Sequence, residues 1–164
     1  DPDSPVSGNV SGDVTVIEFF DYRCGYCKRV ARSVTQLQEE DSGVRVVYKD
    51  FPILGEMSAL ASRAALAAHL QGKHQILHEA LLAAEQDLTK ELIFSIAERV
   101  GVDRQRLEAD MLLPKWDDLL ERNRVLASAL SISGTPGFIV GGELQPGAIG
   151  LEELKQLVVK ARGK

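Results

Sequence analysis

The sequence predicts an α/β protein in which a sheet domain is interrupted by a block of helices. Apolar runs bounded by turn residues predict the strands, and apolar residues at helical spacing predict the helices. One domain is expected from 164 residues. We expect a sheet-forming first half at residues 1–55, an all-helical insertion at 56–131 and a sheet-forming second half at 132–164.

The first half reads as a strand–helix–strand unit. Residues 14–20 form a nearly continuous apolar run, which is typical of a strand that is covered on both faces. A helix is predicted from Gly25 to about Gln38, and residues 44–49 predict a second strand. Such a unit implies a parallel pair with a right-handed crossover. Residues 1–13 are expected to form an extended lead-in.

The middle of the chain is predicted to hold five helices. The first covers Glu56 to Gln71, and the second covers Lys73 to about Gln86. The third and fourth begin after the capping residues Thr89 and Asp103. Pro114 opens the fifth, which runs to about Leu130. The second half then predicts a strand over residues 138–140, a hairpin turn at Gly141-Gly142, a returning strand over 143–145 and a closing helix from Leu151.

Composition excludes some partners. The net charge of −5 argues against nucleic acid or an anionic membrane as the main partner. No apolar run approaches the roughly 20 residues that a membrane-spanning helix needs. The chain starts with Asp1-Pro2, with neither an initiator Met nor a signal peptide, so we expect a processed or trimmed product.

The chemistry is expected at Cys24 and Cys27, the only two cysteines. They lie two residues apart where a strand turns into a helix, so they can form a reversible disulfide, and the positive end of the helix would stabilise a thiolate at Cys24. Cys27 falls on the apolar stripe of the helix, whereas Cys24 is expected at its exposed lip. The alternative is an inert pair, but a disulfide that closes so short a loop adds little stability.

Three features together resemble the DsbA family. They are the segment from Phe19 to Cys27, the strand–strand–helix ending that follows Gly134-Thr135-Pro136, and the helical insertion between the halves. The resemblance implies a thioredoxin-like fold and a thiol–disulfide oxidoreductase that is exported to the bacterial periplasm. It implies that Cys24 is the nucleophile and that Cys27 resolves the mixed disulfide with a cysteine-containing protein substrate. The resemblance implies no cofactor. It does imply a membrane redox partner that resets the site.

The resemblance also assigns residues that tune the disulfide. Gly25 and Tyr26 stand where the best-known members have Pro and His, so we expect a less extreme oxidant. Glu18, six residues before Cys24, lies where related enzymes place an acidic proton acceptor beneath the buried cysteine. A buried carboxylate either has a partner or has a raised pKa. The alternatives for Glu18 are an exposed position at the strand end and an ion pair with Lys49.

Gly134, Thr135 and Pro136 match the family loop that faces the disulfide and binds substrate, in which the bond before the Pro is cis. Thr135 departs from the Val that is usual in the main oxidase and resembles isomerase-like relatives. Those relatives are usually oligomeric through a segment that precedes the catalytic domain, so an oligomer built by a missing N-terminal segment is possible. The direction of electron flow therefore stays open between oxidase and isomerase or reductase.

A binding module is the alternative from another class. Cys24 and Cys27 would offer copper or zinc two thiolates, with a coordination shell still to be filled, or the fold would bind peptides with incidental cysteines. His74 and His78 are four residues apart, but Gln75 stands where a metalloprotease motif needs Glu. We expect these two histidines on a solvated helix surface and predict no metal site.

Overall fold

Five strands form a single sheet in the computed structural model, which describes all 164 residues. The strands are β1 (Val6–Gly8), β2 (Val14–Phe20), β3 (Val44–Asp50), β4 (Gly137–Val140) and β5 (Glu143–Pro146). Their order across the sheet is β1-β3-β2-β4-β5. β2 and β3 run parallel, and every other neighbouring pair is antiparallel. The predicted parallel pair is thus confirmed.

Seven helices accompany the sheet. They are α1 (Gly25–Glu40), α2 (Glu56–His69), α3 (His74–Leu82), α4 (Lys90–Arg99), α5 (Arg104–Asp110), α6 (Lys115–Ala129) and α7 (Leu151–Arg162). From β2 onward the order of elements is the predicted one, with α2 to α6 between β3 and β4. Thr89 and Asp103 accept the backbone N–H of the residue three positions on, so both predicted N-caps are confirmed. α3 ends at Leu82, short of the predicted boundary near Gln86.

The prediction for the first thirteen residues was incomplete. Residues 6–8 form β1, which pairs antiparallel with β3 at the edge of the sheet. The Ser7 hydroxyl is buried and donates to Gln38 at 2.6 Å, and it lies within hydrogen-bond distance of the Tyr48 hydroxyl at 3.0 Å. Three residues are too few to display the alternation that marks a strand, so the sequence pattern could not separate β1 from an extended lead-in.

The sheet is covered on both faces, which explains the apolar run of β2. On one face Val14, Val16 and Phe20 share the main core with α1, α7 and the helices of the middle block. On the other face Phe19 packs with residues of α6 and of the loop before β4. The carboxyl end of β2 and the amino end of β4 meet at one edge, and this is where the cysteines and the Pro136 loop lie.

Candidate functional site

Cys24 and Cys27 lie at the amino end of α1. Cys24 is the N-cap residue with extended backbone, so the first amides of the helix lack intrahelical partners beside it. Both thiols are free. Cys27 has no solvent exposure, whereas Cys24 retains 7%. The prediction that Cys24 stands at an exposed lip was wrong in degree, because the loop at Thr135 lies over it and no local sequence pattern reveals that contact.

The two sulfurs have different surroundings. The Cys24 thiol donates a hydrogen bond to the carbonyl oxygen of Thr135, with 3.3 Å between sulfur and oxygen. Burial raises the pKa of Cys27 far above its ordinary value, and the neighbouring Cys24 thiol raises it further. The Cys27 thiol therefore keeps its proton at neutral pH unless a nearby base removes it.

The turn between β2 and α1 is held by a carboxylate that the sequence analysis did not single out. Asp21 is fully buried and accepts hydrogen bonds from the backbone N–H groups of Arg23, Ile53 and Leu54 at 2.7–3.0 Å. It also accepts the Ser58 hydroxyl at 2.7 Å. Asp21 thereby fixes the approach to Cys24 against the segment that leads into α2. An acid immediately after an apolar strand was the available signal.

Glu18 is buried on the face of β2 that carries Val16 and Phe20. Its Oε1 atom has no hydrogen-bond partner, and burial raises the pKa of Glu18 from 4.5 to about 8. Both alternatives for this residue were wrong. It is not exposed, and the Lys49 ammonium instead donates to the Ser4 hydroxyl at 2.8 Å. A carboxyl group with a pKa near neutrality can both accept and release a proton at physiological pH.

Asp50 is a third buried carboxyl group, after Asp21 and Glu18, and it was not among the predicted site residues. It is the register partner of Phe20 on β2, and burial raises its pKa to about 7. Neither of its carboxyl oxygens has a hydrogen-bond partner. Its position could have been found from alternation, because Val44, Val46, Tyr48 and Asp50 all point to the same face of β3.

The loop formed by Gly134, Thr135 and Pro136 precedes β4 and reaches Cys24. The peptide bond between Thr135 and Pro136 is cis, as the resemblance implied. Beside this loop lies a cleft of about 250 Å³, lined by residues 131–137 with Leu144, Pro146 and Gly147 of the β5 side. None of the lining residues carries a charge, so this side of the cysteine pair is electrically neutral.

The two residues between the cysteines are open to solvent. Gly25 has no neighbouring atom within 4 Å of a Cβ position, and Tyr26 is 58% exposed. The guanidinium of Arg29 lies 4.2 Å from the centre of the Tyr26 ring. A cation held on an aromatic face is attracted by the ring electrons. The dipeptide is thus accessible, and its aromatic member carries a positive charge on one face.

The expectation for His74 and His78 was wrong. Both are buried, and the rings stack 5.5 Å apart. The Tyr22 hydroxyl and His78 Nδ1 share a 2.9 Å hydrogen bond, and burial lowers the pKa of His78 to about 3. They face inward because α3 packs on the aromatic end of β2 and β3, which helical spacing alone does not reveal. No group of three or more His, Cys, Asp or Glu side chains is arranged to hold a metal ion.

The sheet order, the cysteine pair at the start of α1 and the cis-Pro loop opposite it define a thioredoxin-fold oxidoreductase. The sequence matches the DSBA-like thioredoxin domain over residues 15–159. The chain therefore belongs to the DsbA-like family of thiol–disulfide oxidoreductases, and the resemblance is confirmed.

Solved structures agree with this assignment. A thioredoxin-like oxidoreductase from Silicibacter pomeroyi is 43% identical, with a TM-score of 0.97 over 100% of this chain and 95% of that chain. The thiol-disulfide exchange protein alpha-DsbA2 from Wolbachia pipientis is 30% identical, with a TM-score of 0.93 over 98% and 88%. A periplasmic thioredoxin-like protein from Salmonella enterica serovar Typhimurium is 28% identical, with a TM-score of 0.90 over 100% and 92%.

Curated relatives are of a different kind. The Na(+)/H(+) antiporter NhaA 3 from Salinispora tropica is 30% identical over 164 aligned residues, which are 98% of this chain and 25% of the antiporter. NhaA 1 from Salinispora arenicola matches equally, at 30% over the same shares. The chain thus spans about a quarter of the length of the curated relatives it matches. None of its helices combines the length and apolar character that crossing a bilayer requires.

Proposed function

We propose that this domain exchanges disulfides with cysteine-containing protein substrates through Cys24, and that Cys27 resolves the mixed disulfide. The observation that carries the proposal is the unequal environment of the two thiols at one helix end. Cys24 keeps some exposure at the helix N-cap, while Cys27 is fully buried in the first turn. A nucleophile must be reached by its substrate, whereas a resolving thiol needs only to reach its neighbour.

In the reducing direction the Cys24 thiolate attacks a substrate disulfide, and one substrate sulfur leaves as a thiolate that takes up a proton. Cys27 then loses its proton and attacks the Cys24 sulfur, and the second substrate sulfur leaves in the same way. Two electrons pass from the cysteine pair to the substrate, and a disulfide between Cys24 and Cys27 remains. The reverse sequence oxidises a substrate dithiol.

Glu18 is proposed as the proton acceptor for Cys27. Burial holds the Cys27 thiol protonated, so its attack on Cys24 requires a base inside the core. Glu18 lies on the same face of β2 as Val16 and Phe20, which share the main core with Cys27, and its pKa of about 8 suits proton exchange near neutral pH. Glu18→Gln should slow the resolving step by about a hundredfold, while the first attack by Cys24 keeps its rate. A rapid-quench experiment that counts mixed disulfide against time separates the two steps.

Substrate is proposed to bind along the Gly134–Pro136 loop. The Thr135 carbonyl oxygen lies 3.3 Å from the Cys24 sulfur, so a substrate strand paired with the Thr135 backbone would bring its own sulfur to Cys24. The neutral cleft of about 250 Å³ beside Pro136 offers room for an adjoining side chain. Residues 1–55 and 132–164 would supply this machinery, and residues 56–131 would form the inserted helical segment.

The direction of electron flow follows from the reduction potential. Gly25 and Tyr26 provide no imidazolium beside Cys24, so we expect a pair less oxidising than DsbA, whose potential is about −120 mV. Equilibration with glutathione buffers measures this value directly. A membrane redox partner, a periplasmic location and an oligomer of a longer chain complete the proposal, and all three come from the family resemblance.

The test of the proposal uses two variants that differ in one sulfur. Cys24→Ser should abolish reduction of insulin disulfides, because it removes the nucleophile. Cys27→Ser should keep the first attack and accumulate a mixed disulfide with the substrate, which non-reducing gel electrophoresis detects. Both variants should unfold at temperatures close to that of the parent protein. Disulfide exchange that persists in Cys24→Ser would contradict the proposal.

A further inference from the structure

Four cations surround the approach to Cys24. They are Arg23, Lys28, Arg29 and Arg32, here called the basic patch. No Asp or Glu occurs between residues 22 and 38, although the whole chain carries a net charge of −5. The three cations of α1 fall on its exposed side, opposite the stripe that contacts the core. The exposed side of the first half of α1 therefore carries a charge opposite in sign to the net charge of the chain.

The basic patch lacks ion pairs that other cations possess. Nine of the 19 Lys and Arg side chains lie within 4.0 Å of a carboxylate oxygen. None of the four cations of the basic patch is among them. Their charges are therefore available to a group that arrives from outside.

Neutral groups hold three of these cations in place. Arg23 donates to the carbonyl oxygen of Leu54 and Lys28 to that of Ala84, each at 2.6 Å, while Arg29 stacks on Tyr26. Carbonyl groups and an aromatic ring restrict a side chain without cancelling its charge. A site that is ordered before its ligand binds loses less entropy on binding, so this arrangement favours capture of an anion.

Four carboxylates lie at the margin of the patch. Glu56 and Glu85 lie within two residues of the carbonyl groups that hold Arg23 and Lys28. Asp87 lines a cleft of about 240 Å³ together with Arg23 and Lys28. Glu79 borders the surface that Lys28 and Arg32 share, and it accepts a hydrogen bond from Gln75. None of these carboxylates approaches a cation of the basic patch within 4.0 Å, so the four cations remain without an ion-pair partner.

Arg23 and Lys28 lie on one side of the cysteine pair, where they line a cleft with Leu54. Arg23 and Leu54 follow β2 and β3, whereas the neutral cleft lies beside β4 and β5, on the opposite side of β2 in the sheet order. An extended segment centred on Cys24 would therefore lie against cations on one side and against uncharged groups on the other.

We infer that the preferred substrates carry acidic residues on one side of their reactive cysteine, where the basic patch receives them. This inference rests on the proposed function and adds the chemical class of the substrate. Charge complementarity at an interface raises the association rate more than it changes the chemistry that follows. The gain should be lost in concentrated salt, because the screening length falls from about 30 Å at 0.01 M to 3 Å at 1 M.

The test uses short peptides with one cysteine blocked as a thionitrobenzoate disulfide. Two Asp residues are placed before the cysteine in one peptide and after it in a second, and a third carries Asn at these positions. Release of thionitrobenzoate by the reduced protein gives a second-order rate for each. One Asp peptide should react about tenfold faster than the Asn peptide at 0.01 M salt, and less than twofold faster at 1 M.

Matched variants assign the preference to the patch. Arg29→Gln with Arg32→Gln should lower the ratio of Asp to Asn rates at least threefold. Lys73→Gln with Arg124→Gln changes net charge equally, on the turn before α3 and on α6, and should preserve the ratio. Using a ratio cancels any general change in the reactivity of Cys24.

The outcomes separate this inference from the function on which it rests. Rapid release from all three peptides at equal rates, or an equal gain for both Asp positions, would overturn the inference and leave disulfide exchange intact. An equal fall in the ratio in both double variants would also overturn it, because net charge alone would then explain the preference. No release from any peptide would remove the proposed function together with the inference.

Discussion

Replacing Glu18 by Gln should stabilise the reduced protein by an amount that grows with pH. Burial raises the pKa of Glu18 from 4.5 to about 8, so the folded state keeps this carboxyl group protonated where the unfolded chain ionises it. The unfolded state thus binds fewer protons between pH 4.5 and 8, and the stability of the parent protein falls as the pH rises through this range. Gln has similar shape and cannot ionise, so it escapes this loss.

The size of the effect follows from the shift. One pKa unit corresponds to about 1.4 kcal/mol. Ionisation of Glu18 in the unfolded chain therefore lowers the free energy of unfolding of the parent protein by about 1 kcal/mol at pH 5 and by about 4 kcal/mol at pH 8. The difference in free energy of unfolding between Glu18→Gln and the parent protein should therefore grow by about 3 kcal/mol from pH 5 to pH 8. Half of this gain should already be present near pH 6.5.

Urea denaturation under excess reductant measures these differences. The buried Trp116 is the only tryptophan and reports unfolding by fluorescence. Asp50 also titrates in this range but is present in both proteins, so its contribution cancels in the difference. Glu39→Gln makes the same chemical change on the exposed side of α1 and should alter stability by less than about 0.5 kcal/mol at every pH. An advantage of Glu18→Gln that is equal at pH 5 and pH 8 would refute the reasoning.

Three further predictions concern stability. Burial lowers the pKa of His78 from 6.5 to about 3. The stability that the neutral His78 ring contributes is therefore fully present above pH 6.5 and is lost as the pH falls from 6.5 towards 3. The advantage of the parent protein over His78→Gln should drop by about 1.4 kcal/mol per pH unit between pH 6 and 4 in urea titrations. Asp21→Asn removes acceptors from buried donors and should cost about 2–4 kcal/mol by the same method; a loss below 1 kcal/mol would contradict the role of Asp21. Gly141→Ala places a Cβ 2.4 Å from that of Ala161 and should lower thermal stability by about 1–3 kcal/mol more than Gly142→Ala, which meets no atom within 4 Å; equal losses would contradict the clash.

Local chemistry explains which elements the sequence could predict. Thr89 and Asp103 cap helices with their own side chains, and the Gly141-Gly142 turn has the positive φ values of 56° and 85° that favour glycine. The cysteine pair could be placed at a helix start because strand, turn and helix follow one another directly in the chain. Each of these features depends on residues only a few positions apart.

Features that depend on distant contacts escaped prediction. The cover over Cys24 comes from Thr135, more than a hundred residues away, so exposure of the thiol could not be judged from the helix alone. His74 and His78 are four residues apart, a spacing that is also found on exposed helix faces. They are buried because α3 packs on the sheet, where His78 contacts Phe20 and Tyr48. β1 was missed because its three residues gain strand character from pairing with β3.

The unpaired carboxyl of Glu18 has a consequence for engineering this protein. A screen for heat-resistant variants at alkaline pH would select Gln at this position, since Gln cannot ionise and leaves no cavity. On the role proposed for Glu18 as the proton acceptor of Cys27, the selected proteins would be more stable and would turn over more slowly. Any such programme should therefore score turnover alongside thermal tolerance, because here the two properties oppose each other at a single side chain.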